Sequence, residues 1–147
     1  MKKILLLTFW GILCHHFLFA QTLDQSNLPI LKITTKNGAT IPDEPKILGT
    51  LQLINNGNGR ANTPNDTPTG YDGYLGIELR GSTSKDLFPK KPYGFELWAD
   101  TTGKSQKIAF LGMPEESDWV LNASYNDKTF MRDALTYDIS NRMGRYA

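Results

Sequence analysis

Four short stretches of this 147-residue chain alternate apolar and polar side chains, and one later stretch repeats its apolar residues every four positions. Period two is the pattern of strands with one buried face and period four that of an amphipathic helix, so the chain must combine a sheet with a helix. The first alternating stretch, residues 28–35, carries Ile30, Leu31 and Ile33 and meets the turn pair Asn37-Gly38. The second, 46–54, places Ile47, Gly49, Leu51 and Leu53 on one face. In the third, 74–80, Leu75, Ile77 and Leu79 oppose Tyr74, Gly76, Glu78 and Arg80. In the fourth, 91–98, Lys91, Tyr93, Phe95 and Leu97 oppose Pro92, Gly94, Glu96 and Trp98. Pro92 lacks an N–H, so this strand begins at a sheet edge or just after the proline.

Residues 55–72 are rich in Asn, Gly, Pro and Thr and hold almost nothing apolar, which predicts a mobile loop, since burial there cannot offset the entropy of ordering. A hairpin over 99–104 leads to short strands near 106–109 and 119–121, separated by the Leu111-Gly112-Met113-Pro114 turn. The period-four stretch sets Met131, Leu135, Ile139 and Met143 in one stripe, with Asn126 or Asp127 as N-cap and Gly144 as a left-handed C-cap. A helix of that span is about 25 Å long and crosses a small sheet. The expected fold class is α+β: a twisted antiparallel sheet with one long C-terminal helix laid against it.

The N-terminus narrows the chemistry. Lys2 and Lys3, the apolar run 4–19 and the small Ala20 have the order of a secretory signal peptide over residues 1–20, with 21–147 as the mature part. The run is too short for a spanning helix, so no transmembrane anchor is expected after cleavage. Cleavage removes Cys14, His15 and His16, the only residues of their kinds, and with them any disulfide, thiol nucleophile, imidazole base or Cys/His zinc site. Without Lys2 and Lys3, the 16 basic residues become 14 against 15 acidic ones, a balance unlike that of a nucleic-acid binder. Carboxylates, Lys, Arg, Ser, Thr and Tyr remain, which suit sugar cleavage, magnesium-assisted phosphoryl transfer or binding. Residues 142–147 read as a helix stop and the start of a further segment, so the reading frame is expected to be truncated.

Three polar clusters could carry function, each with an ordinary alternative. Arg80-Gly81-Ser82-Thr83-Ser84 joins a cation, a flexible glycine and three hydroxyls, which suits an anion but also a plain polar turn. Lys91 shares a strand face with Tyr93, Phe95 and Leu97, so its ammonium meets an anion or emerges at the sheet margin. Lys128 and Arg132, one helical turn apart near a helix N-terminus, repel each other unless a carboxylate, a phosphate or solvent offsets them. Glu78, Glu96, Asp118 and Asp127 could instead supply a glycosidase pair, though nothing fixes their separation.

Five pieces in order, Gly76 through Ser84, Phe88 through Tyr93, Leu111 through Pro114, Asp118 through Leu121 and Asp127 through Arg132, resemble the CotH kinase family, the spore coat protein H group, across roughly 28–146. The resemblance is to exported bacterial members. It implies an atypical protein-kinase-like fold that binds ATP with Mg2+ and phosphorylates Ser or Thr of partner proteins. The cofactor-binding residues it implies are Arg80, Ser82, Ser84, Lys90, Lys91 and Arg132, with Arg80, Lys91 and Arg132 converging on the nucleotide phosphates. Many members carry Asn where Ser82 and Asp133 stand here. The family's metal-binding and catalytic acids lie beyond Ala147, so this stretch alone is expected to be inactive. The expected location is secreted, periplasmic or at the cell surface. The alternative, from a different class, is a non-catalytic cell-surface module that holds carbohydrate or protein through Trp98, Trp119 or the Asn-rich loop.

Overall fold

A computed structural model describes residues 23–145; the leader expected at 1–20 lies outside them, as do residues 21, 22, 146 and 147. Five strands form one antiparallel sheet in the order β1-β2-β3-β4-β7: β1 Ile30–Thr35, β2 Ile47–Ile54, β3 Tyr71–Leu79, β4 Tyr93–Trp98 and β7 Asp118–Leu121. A separate two-stranded ribbon pairs β5 Ile108–Ala109 with β6 Glu115–Glu116. Two helices complete the chain, α1 Thr83–Leu87 and α2 Arg132–Arg142. The architecture is α+β, an antiparallel sheet with a C-terminal helix. No helix among the described residues is long and apolar enough to cross a membrane.

Register explains why alternation was a sufficient guide to the sheet. Gly49, Leu75 and Leu97 stand in one cross-strand row, and Ile47, Ile77, Phe95 and Trp119 in the next. Every inward position of the central strands is therefore apolar, and Leu51, Leu75, Ile77, Phe95 and Leu97 are buried. The opposite face carries Thr50, Tyr74, Glu78, Glu96, Asp118 and Val120. On that face Gly76 is required, because a Cβ there would lie 2.1 Å from Trp98 Cζ2, and the indole lies directly across the glycine.

The cover of the apolar face differs from expectation. Phe110, from the segment between β4 and β7, packs on it at 6.3 Å from Phe95, 5.3 Å from Trp119 and 6.5 Å from Tyr71, measured between ring centroids. The C-terminal helix does not: α2 has no buried residue, and Met131, Leu135, Ile139 and Met143 are 59, 53, 47 and 69% exposed. Only Leu135 and Ile139 of the expected stripe lie within α2, Met131 and Met143 flank it, and periodicity does not say what meets a stripe. The helix is also shorter than expected, 11 residues or about 16 Å, because it begins at Arg132 rather than after Asp127. Gly144 does end it in the left-handed conformation, at φ 72°, with its N–H donating to Asn141 O at 3.0 Å.

Two further boundaries move. Thr83 and Ser84, expected in the turn after Arg80, instead begin the short helix α1. Strand β3 starts at Tyr71, inside the stretch expected to be a loop, and the rest of that stretch is tied down by polar side chains. Asn62, 1% exposed, accepts from Asn56 N at 2.7 Å and donates to Leu28 O at 2.8 Å, while Asp66 accepts from Thr63 N at 2.9 Å and Asn56 Nδ2 at 2.7 Å. Counting apolar burial alone missed this network, since its order comes from hydrogen bonds.

Candidate anion site at the sheet margin

Three segments converge where β3 ends. Arg80 leaves the polar face of the sheet, its backbone N–H donating to Pro92 O at 3.0 Å. Gly81 turns the chain at φ 96°, a conformation that favours glycine, and a Cβ there would sit 2.6 Å from Ser84 Oγ. The chain then enters α1 and returns through Phe88 and Lys90 to Pro92. The third segment, 122–133, follows β7 and leads into α2.

Asp127 organises that last segment. Buried, it accepts from Thr129 Oγ1 at 2.7 Å, Thr129 N at 3.2 Å and Arg132 N at 3.0 Å. It thereby caps the start of α2 from five residues upstream, where Met131 at the formal N-cap offers no side-chain acceptor. The Thr129 hydroxyl and then the Arg132 amide hold its carboxyl below the usual carboxylate range. Arg132 Nε lies 3.8 Å from the same carboxylate. Asp133 fastens the helix to the end of β7, accepting from Asn122 Nδ2 at 2.5 Å and Ser124 Oγ at 3.0 Å.

Between the segments lies a cavity of about 480 Å³, lined among others by Arg80, Ser84, Lys90, Asn122, Ser124, Asp127, Arg132 and Asp133. Of the six residues expected to bind a cofactor, the fold brings Arg80, Ser84, Lys90 and Arg132 to this cavity. Ser82 and Lys91 do not line it. Lys91 Nζ donates instead to Lys85 O, the carbonyl in the last turn of α1, so its ammonium is engaged by a helix C-terminus. Lys128 is not on a helix at all: its Nζ donates to Tyr125 O at 2.8 Å and lies 3.8 Å from the Tyr125 ring centroid. The expected repulsion between Lys128 and Arg132 assumed a helical spacing that the chain does not have.

The available charge makes this cavity a candidate anion site. Among the described residues the Arg80 guanidinium has no hydrogen-bond or ion-pair partner, and Lys90 faces only the Phe130 ring, at 4.9 Å. Ser84 and Ser124 add hydroxyls, and Phe88 with Tyr125, 5.3 Å apart and tilted by 33°, forms an aromatic wall. Two other hollows, one around Thr50 and Tyr74 and one around Ile77 and Leu121, hold between them a single cation, Lys36. Trp98 lies over Gly76, and Trp119 packs on Phe110.

A smaller hollow shares Arg80 and Val120 with the cavity, and sequence reading missed its polar group. Lys46 Nζ lies 3.1 Å from Glu96 Oε2 and 3.0 Å from Asp118 Oδ1. The two acids are cross-strand neighbours, but Lys46 is 50 residues distant from the nearer, and no local pattern predicts that contact. Burial works against ionisation of all three, yet the mutual hydrogen bonds prevail: both acids titrate below their ordinary values and Lys46 above its own. The signs fix a pH dependence. The acids' contribution is present above their unfolded values of about 4 and lost as pH falls through the lowered folded ones; that of Lys46 is present below about 10 and lost above its raised value. Thermal melting should therefore hold a plateau between roughly pH 5 and 10 and fall below about pH 4, with a shallower acid limb in Lys46→Met.

Residues 77–147 match the family model described as CotH kinase protein. Over those residues the chain is similar to the CotH kinase family. The matched span contains every residue named above as lining the cavity, whereas β1, β2 and the 55–70 connection precede it. Thus the matched segment supplies the cations and the hydroxyls, and the residues before it supply β1, β2, most of β3 and Lys46. No curated protein and no solved structure matches the chain.

Among the described residues, no group of three His, Cys, Asp or Glu side chains is arranged to hold a metal ion. Asp127 is engaged by its own loop and the Asp133 Oδ2 atom by Asn122 and Ser124, so neither presents a ready set of ligands.

Proposed function

We propose that the cavity binds the phosphates of ATP, and that the chain is the N-terminal portion of an exported CotH-like protein kinase acting on Ser or Thr of partner proteins. The observation that carries this reading is the gathering of Arg80, Lys90 and Arg132, from three separate segments, around one cavity. Phosphoryl transfer asks the protein chiefly to position phosphates and to offset charge that spreads over their oxygens. In this role Arg80 offers a planar fork of N–H donors, Lys90 a compact charge, and Ser84 a hydroxyl at the mouth of the Gly81 turn. Arg132, whose Nε lies 3.8 Å from Asp127 Oδ1, lines the same cavity.

ATP would supply the transferable phosphoryl group. The residues present suit its phosphates, and neither a Mg2+ ligand nor the acceptor-orienting group is assigned to a residue of this chain. Residues 1–20 act in the proposal as the export leader. Equilibrium binding tests the reading: ATP should bind more tightly than AMP, and adenosine should not compete measurably. Equal affinity for adenosine and ATP would show that no phosphate is recognised.

A further inference from the structure

Three cations and two carboxylates line the cavity, so its own charge is only +1. The two carboxylates are not equivalent. Asp127 has Arg132 Nε at 3.8 Å and three donors of its own loop. Asp133 has two neutral donors, Asn122 Nδ2 and Ser124 Oγ, both on Oδ2, and no cation among the described residues pairs with it. Its charge therefore stands unneutralised at the wall of a site where cations collect. A neutral amide would fasten α2 equally well, since its oxygen accepts the same two hydrogen bonds.

We propose that Asp133 is a specificity-determining residue that limits how much negative charge the cavity accepts, holding down its affinity for free polyphosphate relative to monophosphate. The inference rests on the reading of the cavity as a phosphate site. Repulsion by a fixed carboxylate grows with the charge on the ligand, whereas a hydrogen bond lost or gained would act on every phosphate alike.

The test is binding of inorganic phosphate and tripolyphosphate, without divalent cations, to the wild type, Asp133→Asn, Asp133→Glu and Arg80→Ala. Asp133→Asn should bind tripolyphosphate roughly threefold to tenfold more tightly, with a smaller gain for phosphate and a steeper loss with added salt. Asp133→Glu, which keeps the charge while shifting the hydrogen bonds, should discriminate as the wild type does. Weaker or unchanged tripolyphosphate binding by Asp133→Asn would overturn the proposal, as would a Glu variant that behaves like the Asn variant. Should Arg80→Ala bind both anions as the wild type does, the phosphate reading itself fails, whatever the Asp133 variants show.

Discussion

Arg80→Ala should weaken ATP binding by about 10- to 100-fold, the loss of one charge-assisted hydrogen-bonding group of roughly 1.5–3 kcal/mol. The melting temperature should hardly move, because among the described residues the guanidinium stabilises nothing else in the fold. Few basic residues at a structural junction allow that separation of binding from stability. Lys91 shows the contrast. Its ammonium is engaged by the Lys85 carbonyl, so Lys91→Ala should loosen α1 while changing ATP affinity by less than about threefold, since a charge outside the contact shell acts only through screened solvent. Isothermal titration of the two variants beside the wild type checks both statements. Equal losses would restore Lys91 to the site and remove the special place given to Arg80.

Leu75→Ala should cost about 2–5 kcal/mol of stability, or roughly 6–16 °C in melting temperature for a chain of this size. Leu75 is fully buried in the central strand, between Gly49 and Leu97 in its row. Sheet neighbours on both sides prevent the cavity from collapsing, which places the expected loss away from the small end of that range. Leu135→Ala is the informative partner. Its side chain is 53% exposed on α2, so truncating it should cost under about 1 kcal/mol. A helix packed against the sheet would instead make the two substitutions comparable, and differential scanning calorimetry distinguishes the cases.

That pair of leucines marks how far the sequence could be read. Alternation placed Leu75, Ile77, Phe95 and Leu97 inward correctly, because a strand's side chains must alternate once its register is set. Period four placed Leu135 and Ile139 together on α2 but said nothing about a covering surface, and the sheet's apolar face had already been met by Phe110. The helix α1 at Thr83–Leu87 gives no signal in the sequence because five residues are too few to show a period. Tyr71 and Asp72 were left in the loop because the glycines and prolines before them masked the strand's first turn of alternation.

The candidate site divides along the same line. Arg80, Ser84, Lys90 and Arg132 were legible as members of recurring motifs, and the fold gathers them. Lys91 and Ser82 belonged to the same motifs, but motif membership does not specify which way adjacent side chains turn, and successive residues leave an extended chain on opposite sides. Asn122 and Ser124 carried a local signal, a polar run between β7 and α2, that composition alone gives no reason to prefer over an ordinary loop. Lys46 carried none, since its partners Glu96 and Asp118 are brought to it only by strand pairing.

The claim on which the functional reading depends is spatial: one phosphate chain touches the end of β3, the turn before β4 and the start of α2 together. Amide NMR of the labelled protein during titration with ATP addresses it directly. Shifts concentrated at 80–84, at Lys90 and over 122–133 are the predicted result. Shifts confined to the groove around Thr50 and Tyr74, or spread evenly over surface lysines, would contradict it.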